Sequence, residues 1–259
     1  MIVLENTLEQ EMDEAKTPHS VDHITSNKLS EDIRRWERWI NKHPDSFMSV
    51  HRGSDRKQLE IGAADVIRKL SLKKGERILD AGCGSAIFLS EILKHIPVNA
   101  VGIDFSAAHI RFAKQNISDI HFLVTSIENL PFSSSYFDKI LSYSVFHCLE
   151  DWKKGLNEFL RVSKPGGKIL IGDVPSGRHR YRMYLNSLGS LLLALKSIKK
   201  LREKWNYLEE EIPWNWIDLR EVKEYVESKG FSCTILSQPK HRQFESITYH
   251  YRFDLLIEK

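Results

Sequence analysis

The sequence predicts an α/β fold with a doubly wound, mostly parallel sheet, and two observations support this prediction. Short, almost continuously apolar runs alternate with amphipathic segments from residue 76 to residue 174, which is typical of a parallel sheet covered by helices on both faces. Right-handed crossovers between successive strands make such a sheet doubly wound. The chain has 259 residues, of which 41% are hydrophobic. At roughly 150 residues per domain this length corresponds to about 1.7 domains, which fits one large or decorated domain.

The first 72 residues are expected to form an N-terminal tail and a helical lid. Residues 1–29 are polar and mixed in character. Ser30 is a suitable N-cap for an amphipathic helix that ends before Pro44. A second helix is predicted over Arg56–Leu70, because its apolar residues fall on one side.

Residues 73–259 are expected to form the main domain with seven strands. Buried strands are predicted at Arg77–Asp80, Ala100–Ile103, Ile120–Val124, Lys139–Ser142 and Lys168–Ile171. Helices between them are predicted at Phe88–His95, Ala107–Gln115 and Trp152–Val162. The chain is expected to close with a helix and a hairpin that makes the sheet edge antiparallel, at Leu219–Ser228, Phe231–Leu236 and Ile247–Ile257.

The segment from about residue 177 to residue 217 interrupts this alternation. Its arginines and lysines are interleaved with leucines and tryptophans, which predicts a helical insertion that lies over the sheet as a substrate cap. Ser176–Tyr184 contains three arginines, one histidine and two tyrosines, which suit an anionic or polyhydroxylated acceptor. A solvated basic helix face is the alternative.

Composition excludes several classes of protein. The 38 basic and 35 acidic residues leave a net charge of only +3, which argues against nucleic-acid binding through one large basic field. The 3 cysteines are far apart and form no CxxC pair, which suits a reducing compartment and predicts no metal site. We find no apolar run of about 20 residues and no signal peptide, so we expect a cytoplasmic protein without a transmembrane segment.

The most informative motif is Asp80-Ala81-Gly82-Cys83-Gly84, which carries a predicted strand directly into a helix. Such a loop brings backbone N–H groups close to a ligand, and it also suits NAD and FAD sites. Ile87 stands where a dinucleotide fingerprint needs a small residue, and the Asp80 carboxylate would repel a pyrophosphate. The same carboxylate would attract an ammonium and a sulfonium, which favours S-adenosylmethionine over a dehydrogenase cofactor.

A second acid, Asp104, ends the next predicted strand, 20 residues after Gly84. A carboxylate at this position can accept hydrogen bonds from both hydroxyls of an adenosine ribose. The alternative role is that of an acidic N-cap for the following helix.

These motifs, with Glu128–Phe132, Phe137-Asp138 and Lys164–Gly167, resemble the ordered motifs of class I S-adenosylmethionine-dependent methyltransferases. The similarity is greatest to the methyltransferase type 11 group, which includes the ubiquinone-biosynthesis-type enzymes. It covers residues 74–174 together with the terminal helix and hairpin. The resemblance implies a Rossmann-like, seven-stranded sheet and S-adenosylmethionine as the methyl donor, with S-adenosylhomocysteine as product.

The resemblance also implies the donor-binding residues. Asp80, Ala81 and the backbone of Gly82, Cys83 and Gly84 would hold the methionyl part, Asp104 the ribose and Phe105 the adenine. Ser126, beside Ile127, stands where relatives often carry an aspartate that binds the adenine amino group. The backbone carbonyl of Tyr143 would receive the amino group of the donor.

Two side chains are predicted to act on the acceptor. His147 and Tyr143 follow the fourth strand, where crevices open at the carboxyl edge of a parallel sheet. His147 is a candidate base, and both residues have a packing role as the alternative.

The predicted function is methyl transfer to a small-molecule or glycan-type acceptor by in-line displacement. One alternative is a lipid-linked or quinone-type membrane substrate, because Leu191–Leu195 and the lysines that follow could form a helix at a membrane surface. The other is a non-catalytic S-adenosylmethionine-binding partner subunit. Oligomeric state is left open.

Overall fold

The computed structural model describes Arg34 and residues 56–149, 151–176, 217–238 and 252–259. The predicted helix after Ser30, the lid before residue 56 apart from Arg34, and the insertion over 177–216 lie outside the described residues.

Within the described ranges, seven strands form one sheet in the order β3-β2-β1-β4-β5-β7-β6. The strands are β1 (Arg77–Ala81), β2 (Asn99–Asp104), β3 (His121–Val124), β4 (Phe137–Tyr143), β5 (Ser163–Pro175), β6 (Ser232–Ser237) and β7 (Arg252–Glu258). β1 to β5 pair in parallel, and β7 is antiparallel to both β5 and β6. The predicted doubly wound sheet is confirmed, and its strand order reverses between β1 and β4.

In the same part of the chain, five α-helices and one 3₁₀ turn accompany these strands. The helices are α1 (Arg56–Leu70), α2 (Ile87–His95), α3 (Ala107–Asn116), α4 (Trp152–Val162) and α5 (Leu219–Ser228), and the turn is Phe146–Cys148. Each helix agrees with its predicted bounds to within one residue at either end. Capping explains several starts: Ser106, Asp151 and Asp218 each accept a hydrogen bond from a backbone N–H in the first turn.

Two hydrophobic cores, one on each face of the sheet, hold the helices. Neighbouring strand residues alternate between them, so that Ile78 faces α1, α2 and α3 whereas Leu79 faces α4 and α5. Both side chains are fully buried. This alternation is the physical reason for helices on both faces.

The strand β5 is longer than predicted at both ends. At its start, Ser163 pairs with Phe137, and after a bulge at its end Val174 and Pro175 pair with β7. β7 lies inside the sheet and β6 forms the edge, because β7 buries residues on both faces whereas β6 buries only Cys233. β6 and β7 thus form the predicted antiparallel pair, with β7 inserted beside β5, and residues 247–251 of the predicted last strand lie outside the described residues.

Candidate functional site

The loop between β1 and α2 passes three times through the left-handed backbone region. Gly82 has φ +83°, Gly84 has φ +53° and Ala86, which precedes α2, has φ +58°. A Cβ at position 82 would lie 2.4 Å from Val145 Cγ2, whereas a Cβ at position 84 would meet nothing within 4 Å. Glycine at 82 therefore permits close packing against the end of β4, and Gly84 faces open space next to the loop.

The side chains at positions 81 and 83 point away from that space. Ala81 lies in the sheet core, where its carbonyl accepts a hydrogen bond from the Ser142 hydroxyl. Cys83 is buried, and its Sγ would lie 3.0 Å from a Cβ on Gly102. Burial and the charges of Asp80 and Asp104 raise the pKa of the Cys83 thiol, so the thiol stays protonated. Ala81 and Cys83 therefore expose only backbone atoms to the open space beside Gly84.

Asp80, at the end of β1, is a buried carboxylate. Its exposure is 3%, and among the described residues no hydrogen bond or ion pair reaches its side chain. Burial, and secondarily the nearby charge of Asp104, raises its pKa from 3.8 to about 7. A buried carboxylate of this kind is ionised at low cost only when a cation lies beside it.

Asp104, at the end of β2, is held by backbone donors. Its Oδ2 accepts from the Gly84 N–H at 2.9 Å and its Oδ1 from the Ser106 N–H at 2.9 Å. Ser106, and not Asp104, is the N-cap of α3. Each carboxylate oxygen has further acceptor capacity, so two more donors can be received.

His109 lies beside Asp104, a neighbour that sequence reasoning missed. Its Nδ1 is 3.9 Å from Asp104 Oδ1, and both residues are buried. Burial raises the pKa of Asp104 and lowers the pKa of His109. No sequence pattern predicts this contact, because His109 is simply the third residue of the helix that follows Asp104.

Three of the four remaining predicted donor-site residues, Phe105, Ser126 and Ile127, differ in how far they are buried. Phe105 is half-buried directly after Asp104, where its ring can serve as one wall of a site. The Ser126 hydroxyl accepts a hydrogen bond from the Glu128 N–H at 3.2 Å. Ile127 is buried in the core on the α4 side, close to Gly155. The structure thus leaves Ile127 with its backbone alone for any ligand.

Tyr143 ends β4 and packs against the helix that follows the loop. Its ring centroid lies 5.0 Å from that of Phe88 in α2, and its hydroxyl accepts a hydrogen bond from Gln238 Nε2 at 3.0 Å. Position 172 must be glycine, because a Cβ there would lie 2.3 Å from the Tyr143 ring. His147, in the 3₁₀ turn, is only 2% exposed. Its burial favours packing, and its catalytic role stays a prediction.

A largely buried polar cluster, which joins α1 to the ends of β4, β5, β6 and β7, was not predicted. We call it the Asp173 network; it consists of Lys69, Ser144, Asp173, Gln238, Arg252 and Asp254. Asp173, after an apolar strand, is visible in the sequence as a polar strand end. The two residues that β7 contributes cannot be recognised from the sequence, because Arg252 and Asp254 simply alternate with apolar residues.

The arrangement suits a ligand that carries a positive charge and neighbouring hydroxyls. Asp80 and Asp104 end adjacent strands, so their charges add at the crevice where the strand order reverses. The buried carboxylate of Asp80, which has no partner within the described ranges, and the open space at Gly84 are the observations that fit an S-adenosylmethionine-type ligand. Within the ranges described, no His, Cys, Asp and Glu cluster could hold a metal ion, and no helix is long and apolar enough to cross a bilayer.

Comparisons with known proteins agree with this geometry. The family model described as "Methyltransferase domain" matches residues 72–230. The demethylmenaquinone methyltransferase of Paenarthrobacter aurescens is 29% identical over 64% of this chain and 66% of its own length. That of Clavibacter sepedonicus is 30% identical over 61% of this chain and 66% of its own length. The chain therefore spans about two thirds of the length of these curated relatives.

The fold has solved counterparts as well. The crystal structure of a SAM-dependent methyltransferase from Aquifex aeolicus superposes with a TM-score of 0.55 and 19% identity, covering 83% of this chain and 97% of that chain. At this identity the likeness concerns the fold.

Proposed function

The chain belongs to the methyltransferase domain family as an S-adenosylmethionine-dependent methyltransferase, and we propose that its acceptor is a quinone-type small molecule. The curated relatives that carry the name demethylmenaquinone methyltransferase support this acceptor class. The glycan-type acceptor receives no support from these names. The dehydrogenase alternative is rejected, because the family match and the buried Asp80 both point away from a dinucleotide.

The observation that carries the donor assignment is the buried carboxylate of Asp80, to which none of the described residues makes a hydrogen bond or ion pair. We propose that it binds the ammonium of the donor at the end of β1, where an acid with a pKa of about 7 gains most from a cation. Gly82 and Gly84 let the backbone approach the methionyl part. The carbonyl of Tyr143 lies at the end of the neighbouring strand β4 and is the proposed second acceptor for that ammonium.

We propose that the adenosine lies over β2 and β3. Asp104 would accept both ribose hydroxyls while its backbone donors keep it oriented. Phe105 would pack on the adenine, and the segment Ser126-Ile127 would meet the adenine edge through backbone groups, since the Ser126 hydroxyl already serves the Glu128 N–H.

S-adenosylmethionine supplies a methyl carbon that its sulfonium has already activated for displacement. The protein must therefore align the acceptor atom and exclude water, and alignment alone can contribute roughly 7–11 kcal/mol. We propose that Tyr143, at the boundary between the donor loop and the Asp173 network, orients the acceptor. His147 is proposed as the proton acceptor if the acceptor hydroxyl must be ionised.

A direct test uses the full-length protein, labelled S-adenosylmethionine and two acceptor classes. One is a reduced quinone with a short isoprenoid chain, which offers the electron-rich ring that an electrophilic methyl group needs; the other is a set of nucleotide sugars. We expect label to appear in the quinol alone, with a net mass gain of one CH2, because the methyl group replaces a hydrogen that leaves as a proton. Transfer to the sugars would contradict the quinone proposal.

The remaining alternatives give different results in the same experiment. A non-catalytic partner subunit would bind S-adenosylhomocysteine by calorimetry and release no methylated product with either class. Co-sedimentation with anionic vesicles tests whether the predicted cap at 177–217 also contacts a membrane surface. If the protein does not bind the vesicles, the hypothesis of membrane contact is excluded. The turnover assay then still decides whether the acceptor is a quinone.

A further inference from the structure

Two neighbouring residues, Ser144 directly after β4 and Asp173 in the bulge of β5, have left-handed backbones although neither is glycine. Their φ values are +63° and +60°. The Ser144 hydroxyl donates a hydrogen bond to Asp173 Oδ2 at 2.8 Å, and the Ser144 N–H donates to the Gly172 carbonyl at 2.9 Å. Such backbone conformations cost free energy and persist only where surrounding contacts hold them.

The contacts that hold Asp173 come from the C-terminal strands. Arg252 Nη1 donates to the Asp173 carbonyl and to its Oδ2, both at 2.8 Å. Asp254 Oδ1 accepts from the Asp173 N–H at 2.8 Å, which replaces the ladder bond lost at the β5 bulge. Asp254 is in turn paired with Lys69 of α1. Because all four side chains are at least 95% buried, water cannot substitute for these bonds.

The contacts on the other side of Ser144 lead to the donor loop. Val145 follows Ser144 directly, and its side chain packs so closely on Gly82 that a Cβ there would lie 2.4 Å from Cγ2. Gly82 in turn is held at the end of β1 by its N–H bond to the Ile103 carbonyl. The direction of the chain at residue 144 therefore determines where Val145 meets the loop.

We propose that Ser144 is a positioning residue for the donor loop, and that Asp173, held by Arg252 and Asp254, maintains its left-handed turn. Through Val145 this turn supports the conformation of Gly82 and hence the donor-binding site of the proposed function, on which this inference rests. The strand β7 would thus contribute to donor affinity although none of its residues lies at the loop.

The test compares two substitutions at one position by calorimetric titration with S-adenosylhomocysteine. Ser144→Ala removes the hydrogen bond and keeps the cost of a left-handed backbone, so the turn relaxes and affinity falls about tenfold. Ser144→Gly also removes the hydrogen bond, but glycine adopts this backbone freely, so most of the lost affinity returns. This difference separates a positioning role from direct contact with the donor.

Ser135 provides a matched control. It is another non-glycine residue with a left-handed backbone, φ +59°. It is exposed, and its N–H donates a hydrogen bond to the Arg161 carbonyl on the α4 side of the sheet. We expect Ser135→Ala to leave the affinity unchanged. Asp173→Asn is the second variant; it weakens the Arg252 pairing and should lower the affinity in the same direction as Ser144→Ala.

Three results would overturn the inference. If Ser144→Ala lowers the melting temperature but binds S-adenosylhomocysteine like the wild type, the turn has a structural role only. If the Ala and Gly variants are weakened equally, the hydroxyl acts on the donor and not through the backbone. If the wild-type protein itself does not bind S-adenosylhomocysteine, the proposed function fails and this inference fails with it. If the wild-type protein binds normally, either of the first two results refutes only the positioning role of Ser144.

Discussion

Asp80→Asn is expected to stabilise the protein without donor and to weaken donor binding. The folded-state pKa of Asp80 lies at about 7, above the value of 3.8 expected for the unfolded chain. Between these two values the folded state binds more protons, so stability falls as the pH rises. At about 1.4 kcal/mol for each unit of pKa, the raised pKa destabilises the folded state by about 4 kcal/mol at pH 8, where Asp80 is ionised. At pH 5 the loss is about 2 kcal/mol, because the folded state keeps a proton that the unfolded chain has released.

An asparagine resembles the protonated carboxyl and does not titrate, so it removes this penalty. We expect the stability gained by Asp80→Asn in urea unfolding to be larger at pH 8 than at pH 5 by about 2–3 kcal/mol. A gain that is the same at both pH values would refute the assignment of the raised pKa to Asp80. Asp138→Asn is the control. The pKa of Asp138 is lowered by its bonds to Lys164 and the Arg77 N–H, which outweigh its partial burial, so its removal should destabilise the protein at pH 8.

The same titration should govern donor binding if the proposed contact with Asp80 exists. If the ammonium of the donor requires an ionised Asp80, roughly 90% of the protein is competent at pH 8 and roughly 10% at pH 6, so the affinity for S-adenosylhomocysteine should fall about tenfold between them. Calorimetry at the two pH values measures this change. The Asp80→Asn variant should bind weakly at both, and a pH-independent wild-type affinity would refute the proposed contact.

The remaining predictions concern the loop, the ribose site and the buried ion pair. Asp104→Ala should weaken S-adenosylhomocysteine binding by about 1–3 kcal/mol, because a charged hydrogen-bond partner is lost; unchanged calorimetric affinity would contradict the ribose role. Gly82→Ala should lower both thermal stability and donor affinity, because its Cβ collides with Val145 and its φ of +83° disfavours alanine; adding Val145→Ala should recover part of the loss. Lys69→Met should destabilise the protein by about 3–5 kcal/mol in urea, because Asp254 would be left buried without its cation; a loss below about 1 kcal/mol would show that the pair is dispensable.

The positions of the acids and glycines that we propose bind the donor could be predicted from the sequence. Asp80 and Asp104 each end an apolar run, and glycines mark the turn between strand and helix. Because parallel strands end at one edge, the neighbouring strands β1 and β2 bring these residues together. The role of Ile127 could not be read in this way, because one apolar residue in a loop can face the core or a ligand equally well, and only packing against Gly155 decides it.

The sequence alone sufficed for the alternation of strands and helices, the bounds of the helices and the positions of Asp80 and Asp104 at strand ends, because hydrophobic period, caps and strand ends are local properties. The tertiary structure alone decided that β7 enters between β5 and β6. This insertion places Arg252 and Asp254 beside Asp173, which is 79 residues before Arg252 in the chain. Pairing across that distance depends on strand order and on the exclusion of water from the buried bonds, and neither is encoded in any short stretch of residues.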